Sequence, residues 1–173
     1  MDKYAVLLNA DTLKIERLLP GPIERVWEYL VDGEKRAKWF SGGKMDQTVG
    51  GTMQLIFDHR QLSPIEDPTP EKYKEHANGS ESFATVLEID PPRFLKINWE
   101  DGIVSFVLTE EGDQVRLVLR HERLKSDKDY KIGVLAGWHG HLDILVAVMN
   151  NRVPDGFWKA HMSLEEEYEK RFF

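Results

Sequence analysis

Six histidines in a chain without a single cysteine invite a metal site built on imidazole alone. His139 and His141 look like a chelating pair until they are placed on a helix. Two residues apart is about 200° of rotation, so the rings face opposite sides and cannot share an ion. The zinc spacing of two histidines flanking a glutamate on one helix face also fails, because His121-Glu122 is followed by Lys125. No metal and no cofactor are expected. The missing cysteine removes disulfides, thiol nucleophiles and thiolate ligands. No serine sits in a nucleophile elbow, and Gly42-Gly43 and Gly50-Gly51 lack the spacing of a phosphate-binding or dinucleotide-binding loop. The carboxylates form no evident acid–base pair. Glu110-Glu111 and Glu165-Glu166-Glu167 read as solvated charge, and Glu88 and Glu100 as outward strand positions.

His121 stands apart from the other histidines. It ends the inward row Val115, Leu117 and Leu119, which places it at one mouth of a sheet. One reading is a buried imidazole satisfied by a backbone or carboxylate partner. Another is a polar group that orients a ligand in an apolar pocket, and general acid–base work is a third. His141, one turn beyond Trp138, can point the same way. The remaining signal is aromatic: Trp39, Phe40, Phe57, Phe83, Trp99, Phe106 and Trp138 come from elements that would surround one space, as core or as cavity wall. Basic residues do not interleave with these rings and the net charge is −7, which argues against a nucleic-acid surface.

The elements that must position these residues are legible in the periodicity. Leu13, Ile15 and Arg17 alternate with Lys14, Glu16 and Leu18 as a first strand, closed by Pro20-Gly21-Pro22. Ile23, Val26, Trp27 and Leu30 predict an amphipathic helix over 22–31, and a second short helix is predicted over 34–40. Met53, Leu55 and Phe57 predict a strand. Residues 59–80 hold little apolar pattern and predict a long loop, functional or mobile, with a short helix near 70–77. Four strands then follow as an antiparallel meander: Phe83, Thr85, Leu87 and Ile89 on one face, next Leu95, Ile97 and Trp99, then Val104, Phe106 and Leu108, and last Val115 to His121. Leu135, Trp138, Leu142, Leu145 and Met149 put one apolar stripe on a long helix over 130–150. A terminal helix after Pro154 carries Phe157, Trp158, His161, Leu164, Tyr168 and Phe172; packing on the protein's own sheet is preferred to a dimer contact.

The 173 residues, 41% hydrophobic and 31% charged, predict one domain over 1–173, with a core over about 12–150 and a helical extension over 151–173. The first residues lack a basic segment followed by an apolar run, so no signal peptide is expected and a cytoplasmic location is. No apolar run approaching a bilayer span is expected either.

Pro22–Trp27, Lys38-Trp39-Phe40, Val49-Gly50-Gly51, Val86–Trp99, Val115–His121, and Gly137-Trp138 with Leu142 and Leu145 together resemble the family of activator of heat-shock protein 90 ATPase homologues (Aha-type), within the START-like (SRPBCC, Bet v-type) superfamily. The resemblance implies an α+β helix-grip fold, a curved antiparallel sheet wrapped around the long C-terminal helix with a hydrophobic cavity between them. The eukaryotic co-chaperones of this name act with an additional N-terminal domain, which is not expected in this short chain, and superfamily relatives bind lipids, polyketides, plant hormones or other apolar molecules. The expected function is binding of a small hydrophobic or amphipathic molecule, lipid-like or polyketide-like. The expected lining is Trp39, Phe40, Met53, Leu55, Phe57, Phe83, Trp99, Phe106, Leu119, His121, Trp138, His141, Leu142 and Leu145. The alternatives are a chaperone-linked or other interaction protein, or a homodimer, with the aromatics of 157–172 and the acidic balance as motive, and a cyclase-type or hydrolase-type enzyme using His121.

Overall fold

The computed structural model describes residues 2–173. Strands β1 (Val6–Asn9) and β2 (Thr12–Pro20) precede helices α1 (Ile23–Val31) and α2 (Gly33–Arg36). Strand β3 (Thr52–Phe57) leads into an insertion with 3₁₀ turns at His59–Gln61 and Glu71–His76. Strands β4 (Ser80–Asp90), β5 (Phe94–Trp99), β6 (Gly102–Glu111) and β7 (Gln114–Glu122) follow, then helices α3 (Lys128–Met149) and α4 (Phe157–Phe172). The seven strands form one curved antiparallel sheet in the order β1-β2-β7-β6-β5-β4-β3, an α+β helix-grip arrangement with α3 against its inner face.

The first helical pair is set by its ends. Pro22 caps α1, and Ile23, Val26, Trp27 and Leu30 turn one apolar face inward. Asp32 ends α1 and opens α2 by accepting from the backbone N–H groups of Glu34 and Lys35 at 2.9 and 3.0 Å. Helix α2 stops at Arg36, so Trp39 and Phe40 sit in the turn beyond it and not in the longer helix expected.

Arg36 holds this region together. It is 1% exposed, and among the described residues no carboxylate pairs with it. Its guanidinium donates to six backbone carbonyls instead: Ser41 at 2.9 Å, Leu30 and Val31 at 3.2 and 3.3 Å, Gly42 and Gly43 at 3.2 and 2.8 Å, and Gln54 of β3 at 3.3 Å. Burial lowers its pKa to about 10 against the pull of Asp32, which leaves it charged at neutral pH. One side chain thus fastens the end of α1, the turn carrying Trp39 and Phe40, and the sheet edge.

Strand β4 departs from simple alternation. Val86 pairs with Ile97 and Glu88 with Lys96, so Leu87 is an extra residue, a bulge that reverses which side chains face inward. Ile89, opposite the buried Leu95, keeps its expected inner position. Before the bulge the inner residues are Ser82, Ala84 and Val86, so Phe83 and Thr85 point outward and Phe83 is 56% exposed. The expected lining role of Phe83 is therefore wrong, because a one-residue slip moves a strand's whole set to the other face.

Helix α3 is buried on nearly all sides and not along one stripe. Leu135, Trp138, Leu142 and Leu145 meet the sheet side of the core, while His139 and Gly140 are equally buried on other faces. The cover is α4, which packs on α3 and not on the sheet: Tyr168 accepts from the Ala5 N–H at 2.7 Å and its hydroxyl lies 2.8 Å from His139 Nδ1. Arg17, buried in β2, donates to Asp143 of α3 at 2.9 Å. By length and composition α3 is long and apolar enough to cross a bilayer, contrary to expectation, but 67% of that span is buried inside the fold.

If Arg36 is the clasp, Arg36→Met should keep the aliphatic volume and lose the donors. Orphaning several buried carbonyls should cost on the order of 3 kcal/mol in urea denaturation, with Arg36→Lys intermediate because it cannot reproduce the planar fork. A loss within about 0.5 kcal/mol for Arg36→Met, the range of neutral surface changes, would show that the turn holds without it.

Candidate functional site

A cavity of about 630 Å³ opens between α3, the start of α4, the insertion after β3 and the inner ends of β4 and β5. It exists because small residues occupy the positions that face it. On β4 these are Ser80 and Ser82; on α3 they are Gly133 and Gly137. A Cβ added at Gly137 would have only the His161 ring at 4.0 Å for a neighbour, and one at Gly133 would have the Tyr73 hydroxyl at 3.6 Å. Behind that space stands a connected set of rings. Phe40 stacks on Trp138 at 5.0 Å, Phe57 stacks on Trp99 at 5.7 Å, and Phe40 meets Trp99 edge-on at 5.8 Å. The Trp99 indole N–H is satisfied by Ser82 at 3.0 Å.

The insertion forms the opposite wall and is pinned to α4 at two places. Asp67 accepts from the N–H groups of Trp158 and Lys159 at 2.6 and 3.1 Å, so a carboxylate distant in sequence caps α4, where the helix dipole favours it. The second anchor is Glu165, which is 6% exposed and not the solvated charge its acidic run suggests. It accepts from the Tyr73 hydroxyl, lies 3.1 Å from His161 Nε2, and pairs with Lys72 at 2.9 Å. Burial pushes the Glu165 carboxyl up, but the hydrogen bonds from His161, Tyr73 and Lys72 outweigh it and hold the pKa at about 2. Burial and the same carboxylate push the Tyr73 phenol well above its usual range. An acid–base cluster thus exists where none was expected, and its members are engaged with one another.

Five histidines line the cavity: His59, His76, His121, His141 and His161. His59 is packed among the rings of Phe157 at 4.4 Å, Trp158 at 4.6 Å and His141 at 5.5 Å, and its Nδ1 is buried without a partner. Burial, then the neighbouring His76 and His161, lowers its pKa to about 4 despite Asp58 and Asp67. His121 is set by Trp138, whose indole N–H donates to His121 Nδ1 at 3.0 Å, and burial lowers its pKa to about 4. Gly102 makes room for this ring, since a Cβ there would fall 2.4 Å from His121 Nε2. His141 is set by the Trp39 carbonyl, 2.7 Å from its Nδ1, and burial holds it well below the usual imidazole value. His139 faces the other side of α3 toward Tyr168 and Asp143, as the helical spacing requires.

Of the residues expected to line the site, Phe40, Phe57, Trp99, His121, Trp138 and His141 come together on the cavity. Trp39, Met53, Leu55, Phe106, Leu119, Leu142 and Leu145 lie in the solid core behind them, and Phe83 lies on the outer surface. Trp39 acts through its backbone: its indole donates to the Tyr29 carbonyl at 2.8 Å while its own carbonyl orients His141. His59, Tyr73, Phe157, Trp158 and His161 were absent from the expected set. The available signal was the spacing of Phe157, His161 and Glu165, four apart on one helix face.

Residues 20–150 match the sequence profile of the family described as activator of Hsp90 ATPase homolog 1-like protein. None of the curated proteins matches the chain. Among solved structures, a Bordetella parapertussis protein determined by solution NMR is 38% identical, with a TM-score of 0.82 over 99% of this chain and 92% of that one. CalU16 from Micromonospora echinospora is 22% identical, with a TM-score of 0.65 over 92% and 86% of the two chains. DynU16, from the dynemicin biosynthetic locus, is 18% identical, with a TM-score of 0.62 over 83% of this chain and 49% of that one; at such identities the likeness is one of fold. The profile spans most of the sequence and every strand from β3 to β7, and the chain belongs to the activator of Hsp90 ATPase homolog 1-like family.

Proposed function

We propose that this protein binds a small hydrophobic or amphipathic molecule in the cavity between α3, α4 and the sheet. The observation that carries the reading is the wall itself. About 630 Å³ of space, a volume typical of small-ligand sites, is backed by stacked aromatic rings and by buried histidines that stay uncharged. Among the described residues the one Lys or Arg on the wall, Lys72, is paired with Glu165, and the carboxylates of Glu81, Glu100 and Asp129 are exposed at the rim. Ligand binding by other members of this fold supports the same reading. A surface role through the terminal helix loses its motive, because Phe157, Trp158 and Tyr168 are buried within the molecule.

The neutral fluorophore N-phenyl-1-naphthylamine should bind with enhanced emission. Gly137→Leu should abolish that binding, because Gly137 lines the cavity with open space beyond its Cβ position. Leucine is also a better helix former than glycine by roughly 0.5–1 kcal/mol, so the variant should melt no lower than the parent. Undiminished dye binding by a well-folded Gly137→Leu protein would place the ligand elsewhere.

The uncharged histidines also predict an acid-sensitive fold. The usual imidazole value is 6.5, whereas folded His59 and His121 lie at about 4. Between those values the unfolded chain binds more protons than the folded one, so stability falls as pH drops through this window. Glu165, depressed from 4.5 to about 2, adds a loss confined to lower pH. Urea midpoints should be flat above about pH 7, decline from about 6.5 toward 4, and decline further below 4.5. His59→Phe should flatten the upper part; an unsloped parent profile between pH 7 and 5 would mean that these imidazoles are charged or hydrated in the native state.

A further inference from the structure

The cavity has a depth axis, and α3 runs along it. Its lining residues on that helix pass from Asp129 and Tyr130 through Gly133 and Gly137 to Trp138 and His141. Asp129 is exposed, Tyr130, Gly133 and Gly137 are half-buried, and Trp138 and His141 are buried. At 1.5 Å of rise per residue, Asp129 lies about 14 Å along the helix from Trp138. Charge follows the same axis. The deep end holds stacked rings and the uncharged His121 and His141. The mouth holds the carboxylates of Glu81, Glu100 and Asp129, and none of the three has an ion-pair partner among the described residues. Other surface carboxylates are matched, Glu28 with Lys35, Glu111 with Arg116 and Glu169 with Lys128.

No cation near the mouth is free to neutralise them. Lys72 is engaged by Glu165, and Lys125, which lies over the Tyr130 ring, pairs with Asp101 at 3.7 Å. Asp127 already caps α3 by accepting from the Tyr130 N–H at 2.7 Å, so Asp129 adds charge beyond what the helix end requires. The negative field reaches the wall. Burial and then Glu100 and Asp101 push the Tyr130 phenol up, and Asp129 adds to burial and Glu165 in doing the same at Tyr73.

We propose that the cavity takes an amphipathic cation, its apolar body on the rings at the floor and its ammonium group at the mouth among Glu81, Glu100 and Asp129. This rests on the reading that the cavity is a small-molecule site and adds the charge and direction of its occupant. The cavity itself is the site, and the carboxylates choose the head group. A fatty-acid-like anion would carry its charge into an uncompensated negative field, and a neutral head would gain nothing from that field. A cation gains from carboxylates that stay in contact with water, so neither partner loses much hydration. Rings on the same wall add to this. Tyr73 and Trp158 stack at 4.9 Å, Tyr130 adjoins Asp129 in the chain, and the faces of such rings attract ammonium groups. Exposed charges are screened by salt, so the preference for a cation must weaken as ionic strength rises.

The test compares three ligands with one body and different heads: 6-phenylhexyl-trimethylammonium, 6-phenylhexanol and 6-phenylhexanoate. Isothermal titration of the full chain at about 0.01 M salt should show the cation binding about tenfold tighter than the alcohol, the worth of a few exposed ion pairs, and the carboxylate binding weaker than the alcohol. At about 1 M salt, where the screening length falls from about 30 Å to about 3 Å, the ratio of cation to alcohol should approach one. In a variant combining Glu81→Gln, Glu100→Gln and Asp129→Asn, the low-salt ratio should fall below about twofold. The salt series uses the unaltered protein and decides the question even where the triple variant does not fold. Equal binding of the three ligands, or tighter binding of the carboxylate, would overturn the selection and leave cavity binding standing. A cation preference that survives either high salt or the triple substitution would put the ammonium group away from these carboxylates and overturn the assignment. Failure of all three ligands while the neutral fluorophore binds would overturn it as well. Failure of the fluorophore too would remove the cavity reading beneath it.

Discussion

A cation without a carboxylate partner lies at the base of this structure. Arg36 is sealed from water and surrounded by the carbonyls of Leu30, Val31, Ser41, Gly42, Gly43 and Gln54. Each of those oxygens belongs to an end: the last turn of α1, the irregular run after α2, or the edge strand β3. Chain ends are where backbone acceptors lack partners, and a guanidinium with five donors in a plane can answer several of them at once. A buried ion pair here would satisfy the charge and leave the carbonyls orphaned. The arrangement chosen satisfies both. Its consequence reaches the site, because the turn it fixes carries Phe40, a wall of the cavity, and the Trp39 carbonyl, which determines the proton position on His141.

The opposite wall depends on α3 being a helix without an exposed side. A core helix covered by the sheet on one side needs a second cover on the other, and α4 supplies it along the small residues Gly133, Gly137 and Gly140. The fit is tight only at one end. At Gly140 a Cβ would meet the Phe157 ring at 3.3 Å, whereas at Gly133 and Gly137 the nearest atoms are 3.6 and 4.0 Å away. The space left by that divergence is the cavity, and the insertion closes it through Asp67 at the start of α4 and Tyr73 and Lys72 at Glu165. Open volume of this kind forfeits packing energy. Filling it would need only larger residues at positions where nothing stands in the way.

How much of this was legible depended on whether a signal was local. The strands other than β1 and β4, the amphipathic α1 and the long α3 follow from periods of two and 3.6, and the opposition of His139 and His141 follows from helical rotation alone, whereas β1 was not expected. The bulge at Leu87 has no such signature. It reversed the face of Phe83, and with it hid the small inner residues Ser80 and Ser82 that create the cavity's edge. Glu165 was misread for a different reason: three consecutive glutamates look alike in a sequence, and only the packing of a distant insertion distinguishes the one that is buried. Arg36 carried no signal at all, since its partners are backbone atoms and backbone has no sequence pattern. The residues legible as site members were those whose own element fixes their direction, Trp138 and His141 on one helix and Trp99 and His121 on strands of one sheet. Those contributed by the insertion and α4 were not.

The two histidine systems of the cavity differ in what holds them. His161 presents Nε2 to Glu165 and Tyr73 at 3.1 Å each, Lys72 completes the carboxylate, and its Nδ1 is enclosed. A base so committed has no lone pair to offer a substrate, and its network holds the insertion against α4. His121 and His141 are each held by a single partner on Nδ1, and both residues line the cavity. In each ring that one interaction fixes which nitrogen carries the proton. The partners are a tryptophan N–H and a backbone carbonyl, neither of which can change its role with pH. A carboxylate in either place would have raised the imidazole pKa and made the wall cationic. The neutral partners leave these imidazoles uncharged within an apolar frame.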